Sequence, residues 1–263
     1  MFFLRDFKLI SSRENSLIKL ICGLQSSAKK RHENGLFVLE GLRICQDANL
    51  NGIQFDKLIV SESAFKKLQD KISDFSVNSN ECYIITDSLL KKISDTDSPQ
   101  GIMALARFPK TTDVEISKTG RYIALENLSD PSNLGAISRT AEALGVDGII
   151  ISDSSCDPYS PKVLRASMGT ILRLPIIIFE DFSKKISTLG LRTYSCVVDN
   201  TAEKITDVNF CDGSIIIIGN EANGISESTK AVSDMLITIP MRGKAESLNA
   251  ANAASIAMWE MMK

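Results

Sequence analysis

The stretch from residue 214 to residue 254 constrains the fold more than any other part of this sequence. It contains two apolar runs, 214–219 and 236–240, each rich in β-branched residues or leucine and each stopped by glycine or proline. Such runs are typical of strands buried on both faces of a parallel sheet. A tight loop, 220–226, follows the first run, and a polar loop, 241–246, follows the second and opens a helix. Because ligands bind at the loop edge of open α/β sheets, this pattern favours a nucleotide-like ligand.

The rest of the second half alternates in the same way. Further strands are predicted at 122–125, 148–152, 176–179 and 194–198, and helices at 134–144, 161–168, 181–189 and 248–262. Six strands linked by helices predict an α/β fold, with a mostly parallel sheet covered by helices on both faces.

The first half predicts a smaller domain, also with a sheet between layers of helices. Its strands are predicted at 36–39, 57–60, 83–85 and 101–106, and its helices at 14–28, 42–50, 62–70 and 87–93. Residues 110–119 are polar and lack an apolar period, which indicates a linker. We therefore divide the chain into residues 1–109, a linker at 110–119, and residues 120–263.

Composition bounds the class of protein. With 263 residues, the chain is long enough for two ordinary domains that each bury a core. Its six cysteines form no C-x-x-C pair and it has a single histidine, so we expect reduced thiols and no metal site. No segment approaches the roughly 18 apolar residues that span a membrane. We expect a cytoplasmic protein without a membrane partner.

The two halves differ in charge. Residues 1–110 hold 16 Lys and Arg against 13 Asp and Glu, whereas residues 111–263 hold 14 against 19. A phosphate-rich partner would therefore meet mainly the first half. Lys29, Lys30 and Arg31 follow a predicted helix, where they either complement the helix dipole or contact phosphate.

Polar residues follow the strand predicted at 122–125. They are Glu126, Asn127, Asp130 and Asn133. Asn133 is placed to cap the next helix, and Arg139 in that helix is either a solvated or ion-paired residue or a functional one. Lys162 and Arg165 follow Pro161, which is typical of a surface helix start.

Several common enzyme classes lack their signatures here. No Ser-His-Asp or Cys-His arrangement is available, because the only histidine, His32, lies in the first half, and neither G-x-x-x-x-G-K-[ST] nor G-x-G-x-x-G occurs. These absences argue against proteases, kinases, simple NTPases and conventional dinucleotide dehydrogenases.

Three stretches occur in the order found in a known family: Asn133-Leu-Gly-Ala-Ile-Ser-Arg139-Thr-Ala-Glu-Ala-Leu-Gly145, Ile218-Gly-Asn-Glu-Ala-Asn-Gly-Ile-Ser226 and Ile239-Pro-Met-Arg-Gly-Lys-Ala-Glu-Ser-Leu-Asn-Ala250. Together they resemble the SpoU (TrmH-type) branch of the SPOUT RNA methyltransferases and cover the second half of the chain. Residues 30–41 are similar to the ribosomal-protein-like substrate domain that precedes many members.

The resemblance implies a deep trefoil knot in the second domain, S-adenosylmethionine held in that knot, and a homodimer that completes the site across its interface. The residues implied for the donor pocket are Gly219, Glu221, Gly224, Ile239, Met241, Ser247 and Leu248. Those implied to face the methyl group and the acceptor ribose are Asn133, Arg139 and Asn249. We assign RNA contacts to Lys29, Lys30, Arg31, Lys162 and Arg165.

The implied chemistry is an in-line displacement at a sulfonium methyl by a ribose 2′-oxygen, in which positioning dominates and no metal is required. The family assigns the matching arginine, Arg139, as the base. A guanidinium is effectively always protonated, so a clamp on phosphate and on developing negative charge is the easier role. One departure is Ala222, where the family has a glycine, and this alanine would be strained if φ were positive there.

We therefore expect an RNA ribose 2′-O-methyltransferase whose first domain selects the RNA. Ribosomal RNA is the preferred substrate and transfer RNA the close rival. A different class stays open, namely an RNA-binding ribosome-assembly factor whose methylation is dispensable.

Overall fold

The computed structural model describes residues 7–77, 81–109 and 115–263. The chain divides into two units, Met1–Pro109 with Tyr159–Leu164, and Lys110–Pro158 with Arg165–Lys263. Residues 110–114 of the expected linker lie outside the described residues, and residues 115–119 are irregular.

The first unit is built on a mixed sheet. Its strands are β1 (Lys8–Ile10), β2 (Leu36–Glu40), β3 (Phe55–Ser61), β4 (Cys82–Ile85) and β5 (Ile102–Arg107). Its helices are α1 (Ser16–Ser26), α2 (Ala28–Asn34), α3 (Leu42–Leu50), α4 (Glu62–Ile72) and α5 (Asp87–Ile93). Within the described residues the strand order is β1-β4-β3-β5-β2, with β1, β4 and β3 parallel and β5 antiparallel to β3 and β2.

Both faces of this sheet are buried. Alternate strand residues such as Val38, Ile59 and Leu105 pack with α1 and α5 in one apolar cluster. The residues between them, including Phe37 and Leu58, are fully buried as well. The expected sheet between helices is thus confirmed, and β1 was missed because three residues carry too little pattern.

The chain after residue 115 alternates strands and helices. The strands are β6 (Arg121–Leu125), β7 (Gly148–Ser152), β8 (Ile176–Phe179), β9 (Arg192–Cys196), β10 (Glu203–Lys204), β11 (Ser214–Ile218) and β12 (Met235–Thr238). The helices are α6 (Pro131–Leu144), α7 (Pro161–Ala166), α8 (Phe182–Thr188), α9 (Glu227–Val232) and α10 (Ala250–Met262), with 3₁₀ turns at Thr170–Leu172 and Ile205–Asp207.

These strands form one sheet that is parallel throughout the described residues, in the order β10-β12-β9-β11-β6-β7-β8. All five residues of β11 and all five of β7 are buried, as a sheet covered on both faces requires. The six predicted strands and the parallel sheet are confirmed, whereas two-residue β10 and helix α9 were not predicted. The knot implied by the resemblance stays a prediction.

Helix α6 begins differently from the prediction. The Asp130 side chain, not that of Asn133, caps the helix by accepting from the Ser132 amide at 2.8 Å, and Pro131 is the first helical residue. Asn133 lies in the first turn and is buried, which frees its amide for other contacts. The predicted C-cap is correct, because Gly145 adopts a left-handed conformation with φ of 76°.

Among the helices of the described residues, none combines the length and the apolar character that crossing a bilayer requires.

Candidate functional site

The candidate site lies where β6 and β11 end side by side. The two strands are paired in parallel, with Leu125 opposite Ile218, and the Glu126 amide continues the ladder by donating to the Ile218 carbonyl at 2.9 Å. The β6–α6 loop (residues 126–130) and the β11–α9 loop (residues 219–226) therefore leave the sheet next to each other. This is the edge at which ligands bind in open α/β sheets.

The β11–α9 loop folds back on itself. Asn220 and Gly224 exchange two backbone hydrogen bonds, at 3.0 and 2.9 Å, and the Asn220 side chain accepts from the amides of Ala222 and Asn223. A Cβ atom on Gly219 would lie 2.1 Å from the Gly224 carbonyl carbon. Only glycine fits at residue 219, because the returning loop occupies the space of a side chain.

The alanine that replaces a family glycine is not strained. Gly224 takes the left-handed conformation, with φ of 67°, and Ala222 does not have a positive φ. The turn needs its conformational freedom at Gly224, so Ala222 is compatible with the loop.

Glu221 ties the two loops together. Its carboxylate accepts hydrogen bonds from the backbone amides of Ser129 and Asp130, at 3.1 and 3.0 Å, and from the Asn133 side chain at 2.9 Å. Partial burial by itself raises the pKa of Glu221, but these three hydrogen bonds outweigh it and hold the pKa below its usual value. The carboxylate is therefore ionised at neutral pH and positions the β6–α6 loop.

Asn133 and Asn249 extend the same network. The Asn249 side chain donates to the Asn133 side-chain oxygen at 3.0 Å. Its own oxygen caps α10 by accepting from the amides of Ala251 and Asn252. The network links three residues that the resemblance singled out and that are far apart in sequence.

Glu126 is a buried anchor that the sequence analysis assigned no role. Its carboxylate accepts from the Ser226 amide at 2.8 Å, from the Ser226 hydroxyl at 2.6 Å and from the Thr229 hydroxyl at 2.7 Å. These contacts fix the start of α9 against the end of β6. A buried carboxylate with three donors is well satisfied, and its loss would leave those donors without partners.

A cavity of about 580 Å³ opens beside the β11–α9 loop. All seven residues expected to hold the methyl donor line it: Gly219, Glu221, Gly224, Ile239, Met241, Ser247 and Leu248. Within the described part of the chain, residues 240–248 form no backbone–backbone hydrogen bonds, so their carbonyls and the amides of residues 241–248 are available to a ligand. The apolar side chains of Ile218 and Leu248 complete a wall suited to a flat ring.

Other residues of this cavity escaped the sequence analysis. Cys196, Val197, Val198 and Asp199 line it from the end of β9. The polar pair Asp199-Asn200 comes directly after a predicted strand and could have indicated that this strand end lines a site. It lies outside the family motifs and was therefore missed. Burial raises the pKa of the Cys196 thiol to about 11, so this group is neutral at physiological pH.

Arg139 does not line the cavity. It is exposed on α6, six residues beyond Asn133, which is about 9 Å along a helix axis. Among the described residues its guanidinium has no hydrogen-bond or ion-pair partner. An exposed arginine with no partner among the described residues can bind an anion or a residue from another molecule.

The residues expected to contact RNA differ in their surroundings. Lys29 and Lys30 are exposed on the short helix α2. Arg31 is only 4% exposed, and its guanidinium donates to the Leu24 carbonyl at 2.6 Å and the Gln25 carbonyl at 3.4 Å. Arg31 therefore satisfies carbonyl groups in the last turn of α1, and we leave it out of the proposed RNA contacts.

Lys162 and Arg165 are both exposed on α7. Among the residues that the structure describes, no group of His, Cys, Asp or Glu side chains is arranged to hold a metal ion.

Comparison with known proteins covers nearly the whole chain. The SpoU rRNA Methylase family matches residues 120–259, and the MRM3-like substrate binding domain matches residues 15–104. An uncharacterized tRNA/rRNA methyltransferase of Synechocystis is 31% identical over 97% of this chain and 93% of its own length.

Two further relatives extend the comparison. The 23S rRNA (guanosine(2553)-2′-O)-methyltransferase RlmP of Bacillus subtilis is 25% identical over 97% of this chain and 99% of its own. The crystal structure of an AdoMet-bound rRNA methyltransferase from Sinorhizobium meliloti superimposes with a TM-score of 0.84 at 26% identity, covering 97% of each chain.

Proposed function

We propose, because this chain belongs to the SpoU rRNA methylase family, that it transfers the methyl group of S-adenosylmethionine to a ribose 2′-hydroxyl of structured RNA. Ribosomal RNA is the preferred acceptor, since the Bacillus relative is named for 2′-O-methylation of 23S rRNA. Transfer RNA is the alternative. The observation that carries the proposal is the cavity of about 580 Å³, lined by every residue expected to hold the donor.

The cavity fits the donor in size and in chemistry. Ligand pockets in proteins measure roughly 300–1,000 Å³ and combine apolar walls with a few polar groups. Ile218, Ile239 and Leu248 offer apolar surface to an adenine ring, and the free backbone groups of residues 240–248 offer hydrogen bonds. The bound donor supplies a methyl group that is already activated by its sulfonium charge.

The chain's own residues supply positioning and charge stabilisation. Glu221, Asn133 and Asn249 hold the β6–α6 loop and the start of α10 in register beside the cavity. Arg139 clamps the acceptor phosphate and stabilises negative charge that develops on the 2′-oxygen, because a guanidinium is a cation with five N–H donors. Holding the reacting atoms in line accounts for most of the acceleration in such a transfer.

In this proposal Arg139 lies next to a second copy of the chain. The exposed side of α10 has two large apolar side chains, Ile256 and Trp259, which are 39% and 59% exposed. Helix α10 packs beside α6, where Thr140 and Ser255 share a hydrogen bond of 3.1 Å. A homodimer formed through this face would cover the apolar side chains and bring Arg139 of one protomer toward the site of its partner.

The first unit is assigned to RNA selection. Residues 1–110 have a basic excess (16 Lys and Arg against 13 Asp and Glu), whereas residues 111–263 have an acidic excess (14 against 19), and Lys29 and Lys30 are exposed in the first unit. Lys162 and Arg165 add exposed cations on α7. In this proposal residues 1–109 bind RNA, residues 110–119 link the domains, residues 120–263 perform the methyl transfer, and the enzyme works in the cytoplasm on newly made RNA.

The test is nucleotide-resolution mapping of 2′-O-methylation. The purified chain is incubated with S-adenosylmethionine and total RNA from a strain that lacks the protein. One new methylated ribose in ribosomal or transfer RNA establishes both reaction and substrate. A chain that binds RNA but neither binds the donor nor adds a mark would overturn the proposal in favour of an RNA-binding assembly factor.

A further inference from the structure

A second cavity, of about 380 Å³, lies in the first unit where β3 ends. Part of its wall is apolar and is formed by Ala64, Leu68, Leu90 and Pro99. The parallel strands β3 and β4 run into α4 and α5 at this edge, which is the kind of edge where α/β sheets bind ligands. The proposed methyl transfer makes no use of this cavity.

The rest of the wall is polar and charged. Ser63, Lys67, Asp87, Lys91 and Gln100 contribute to it. Lys67 and Lys91 are exposed, and among the described residues neither ammonium group has an ion-pair or hydrogen-bond partner. Lys67 is close enough to Asp87 to help lower the pKa of that carboxyl, but it forms no direct ion pair with it. Two cations beside one carboxylate suit a ligand that has both an anionic part and hydrogen-bond donors.

Asp87 keeps accepting capacity toward such a ligand. The Ser63 hydroxyl and amide donate to its Oδ1 atom at 2.7 and 3.4 Å, which leaves Oδ2 with capacity to accept. Hydrogen bonds from the side chains of Ser63 and Ser61 hold the pKa of Asp87 below its usual value. The carboxylate is therefore ionised at neutral pH.

Backbone contacts hold the wall of this cavity in place. Gly101 has a φ of +89°, and a Cβ atom there would lie 2.3 Å from the Ala64 Cβ. The Ser61 amide donates to the Gly101 carbonyl at 2.8 Å, and the Leu42 amide donates to the Gln100 side chain at 2.8 Å. A cavity whose walls are already fixed loses less entropy when a ligand binds.

We propose that this cavity binds one unstacked nucleotide of the substrate RNA, and that guanine is the base it fits best. The apolar wall packs against the base, Asp87 accepts from the N–H groups of its Watson–Crick edge, and Lys67 and Lys91 meet the adjoining phosphates. Guanine offers two neighbouring N–H donors to one carboxylate, and proteins read RNA sequence mainly through bases splayed out of single-stranded loops. That the partner is RNA rests on the proposed function.

Salt dependence of RNA binding tests the lysines. The full-length double variant Lys67→Gln/Lys91→Gln is compared with Lys71→Gln/Lys92→Gln, which removes the same charge from the same helices outside the cavity. The probe is unmodified large-subunit ribosomal RNA transcribed in vitro. We expect the cavity variant to lower the slope of log affinity against log salt by about 1.4, since each single-strand phosphate contact contributes about 0.7. The control variant keeps the wild-type slope.

Asp87→Asn tests base recognition. The asparagine keeps an acceptor for Ser63 but replaces the free Oδ2 acceptor by a donor, so RNA affinity is expected to fall roughly 10- to 150-fold, the cost of one lost hydrogen bond to a charged group. Chemical probing at guanine N1 should find one guanosine that the wild-type chain protects and the variant does not. Equal melting temperatures of the two proteins verify that the variant is folded.

The outcomes separate this inference from the proposed function, because binding is measured without methyl transfer. Two results overturn the nucleotide site alone. One is an equal loss of RNA affinity in the cavity double variant and the control double variant. The other is wild-type RNA affinity in both Lys67→Gln/Lys91→Gln and Asp87→Asn, in a chain that methylates RNA. A chain that binds RNA through the cavity but never methylates it overturns the proposed function alone.

Discussion

Arg139 is the exposed residue to which the proposed mechanism assigns the acceptor phosphate. It is exposed on α6 and has no partner among the described residues, while its neighbours Ser138 and Ala141 are buried. We predict that Arg139→Lys lowers kcat about a hundredfold or more, because an ammonium cannot reproduce the bidentate geometry of a guanidinium on phosphate. Steady-state kinetics and calorimetric titration with S-adenosylmethionine check this, with donor affinity expected to stay at the wild-type value.

The matched control is Arg192→Lys, an exposed arginine at the start of β9 and outside the cavity. It should keep wild-type kinetics. If Arg139→Lys lost donor binding in step with turnover, the assignment of Arg139 to the acceptor side would be wrong.

The lowered pKa of Glu221 leads us to predict that stability and donor affinity depend on pH. Its pKa is lowered in the folded chain, so its contribution to stability is complete above the unfolded value near 4.5 and is lost as the pH falls through the lower folded value. We expect donor affinity and melting temperature to fall together below about pH 4.5 as the β6–α6 loop is released. Melting curves from pH 3 to 7 check this for the wild type and for Glu221→Gln.

In Glu221→Gln the acid-sensitive step should be smaller, and the melting temperature at pH 7 should already be lower. An acid profile that superimposes on that of the wild type would show that other carboxylates dominate the transition.

At the scale of elements, the β11–α9 loop contains two small residues with opposite requirements. Gly219→Ala places a Cβ atom 2.1 Å from the Gly224 backbone, whereas Ala222→Gly removes a methyl group from a residue that is not strained. We predict that Gly219→Ala weakens S-adenosylmethionine binding by about 1–3 kcal/mol, the usual cost of overpacking. Ala222→Gly should change it little.

Calorimetric titration of both variants with S-adenosylmethionine measures the difference. Equal affinities in the two variants would mean that the loop relaxes around the added methyl group and that its close packing does not shape the donor cavity.

The packing of α6 against α10 positions side chains of the candidate site. Asn249 caps α10 and also donates a hydrogen bond to Asn133 in the first turn of α6. This side chain therefore fixes the start of α10 relative to the start of α6. Small residues on α10, including Ala250, Ala254 and Ala257, are buried and allow this close approach. Packing of helices thus sets the position of the side chains that the proposed reaction uses.

At the scale of the whole molecule, the proposed homodimer predicts complementation. Arg139→Ala and Asn249→Ala are each expected to be inactive alone. If Arg139 acts at the site of the partner, a mixed dimer has one intact site, and random mixing should restore about a quarter of wild-type activity. Methyl-transfer assays after mixing under conditions of subunit exchange check this.

Trp259→Glu is the companion variant, since a carboxylate on the exposed side of α10 should shift the chain to a monomer in sedimentation. A mixture that stays inactive although mixed dimers are present would place Arg139 at the site of its own protomer.

By itself, the sequence determined the strands of the parallel sheet, the α/β class and the motif residues that line the cavity beside the β11–α9 loop. Runs such as Ile215 to Ile218 are apolar at every position because both faces of the strand are buried, and this signal is local. Gly219 and Gly224 both lie in the motif at residues 218–226, which is a signal within one short stretch of sequence.

Only the tertiary structure decided which side chains meet. The bond between Asn133 and Asn249 joins residues 116 positions apart, and Glu126 reaches Ser226 across 100 positions, so no local pattern encodes either contact. The two corrections have a different cause, because both contacts are local in sequence. Asp130 caps α6 because its side chain reaches the Ser132 amide, and Arg31 is buried because α2 folds back onto the carbonyl groups at the end of α1. Long-range packing, which depends on the positions of whole helices and strands, assigned the roles of Asn133, Asn249 and Glu126.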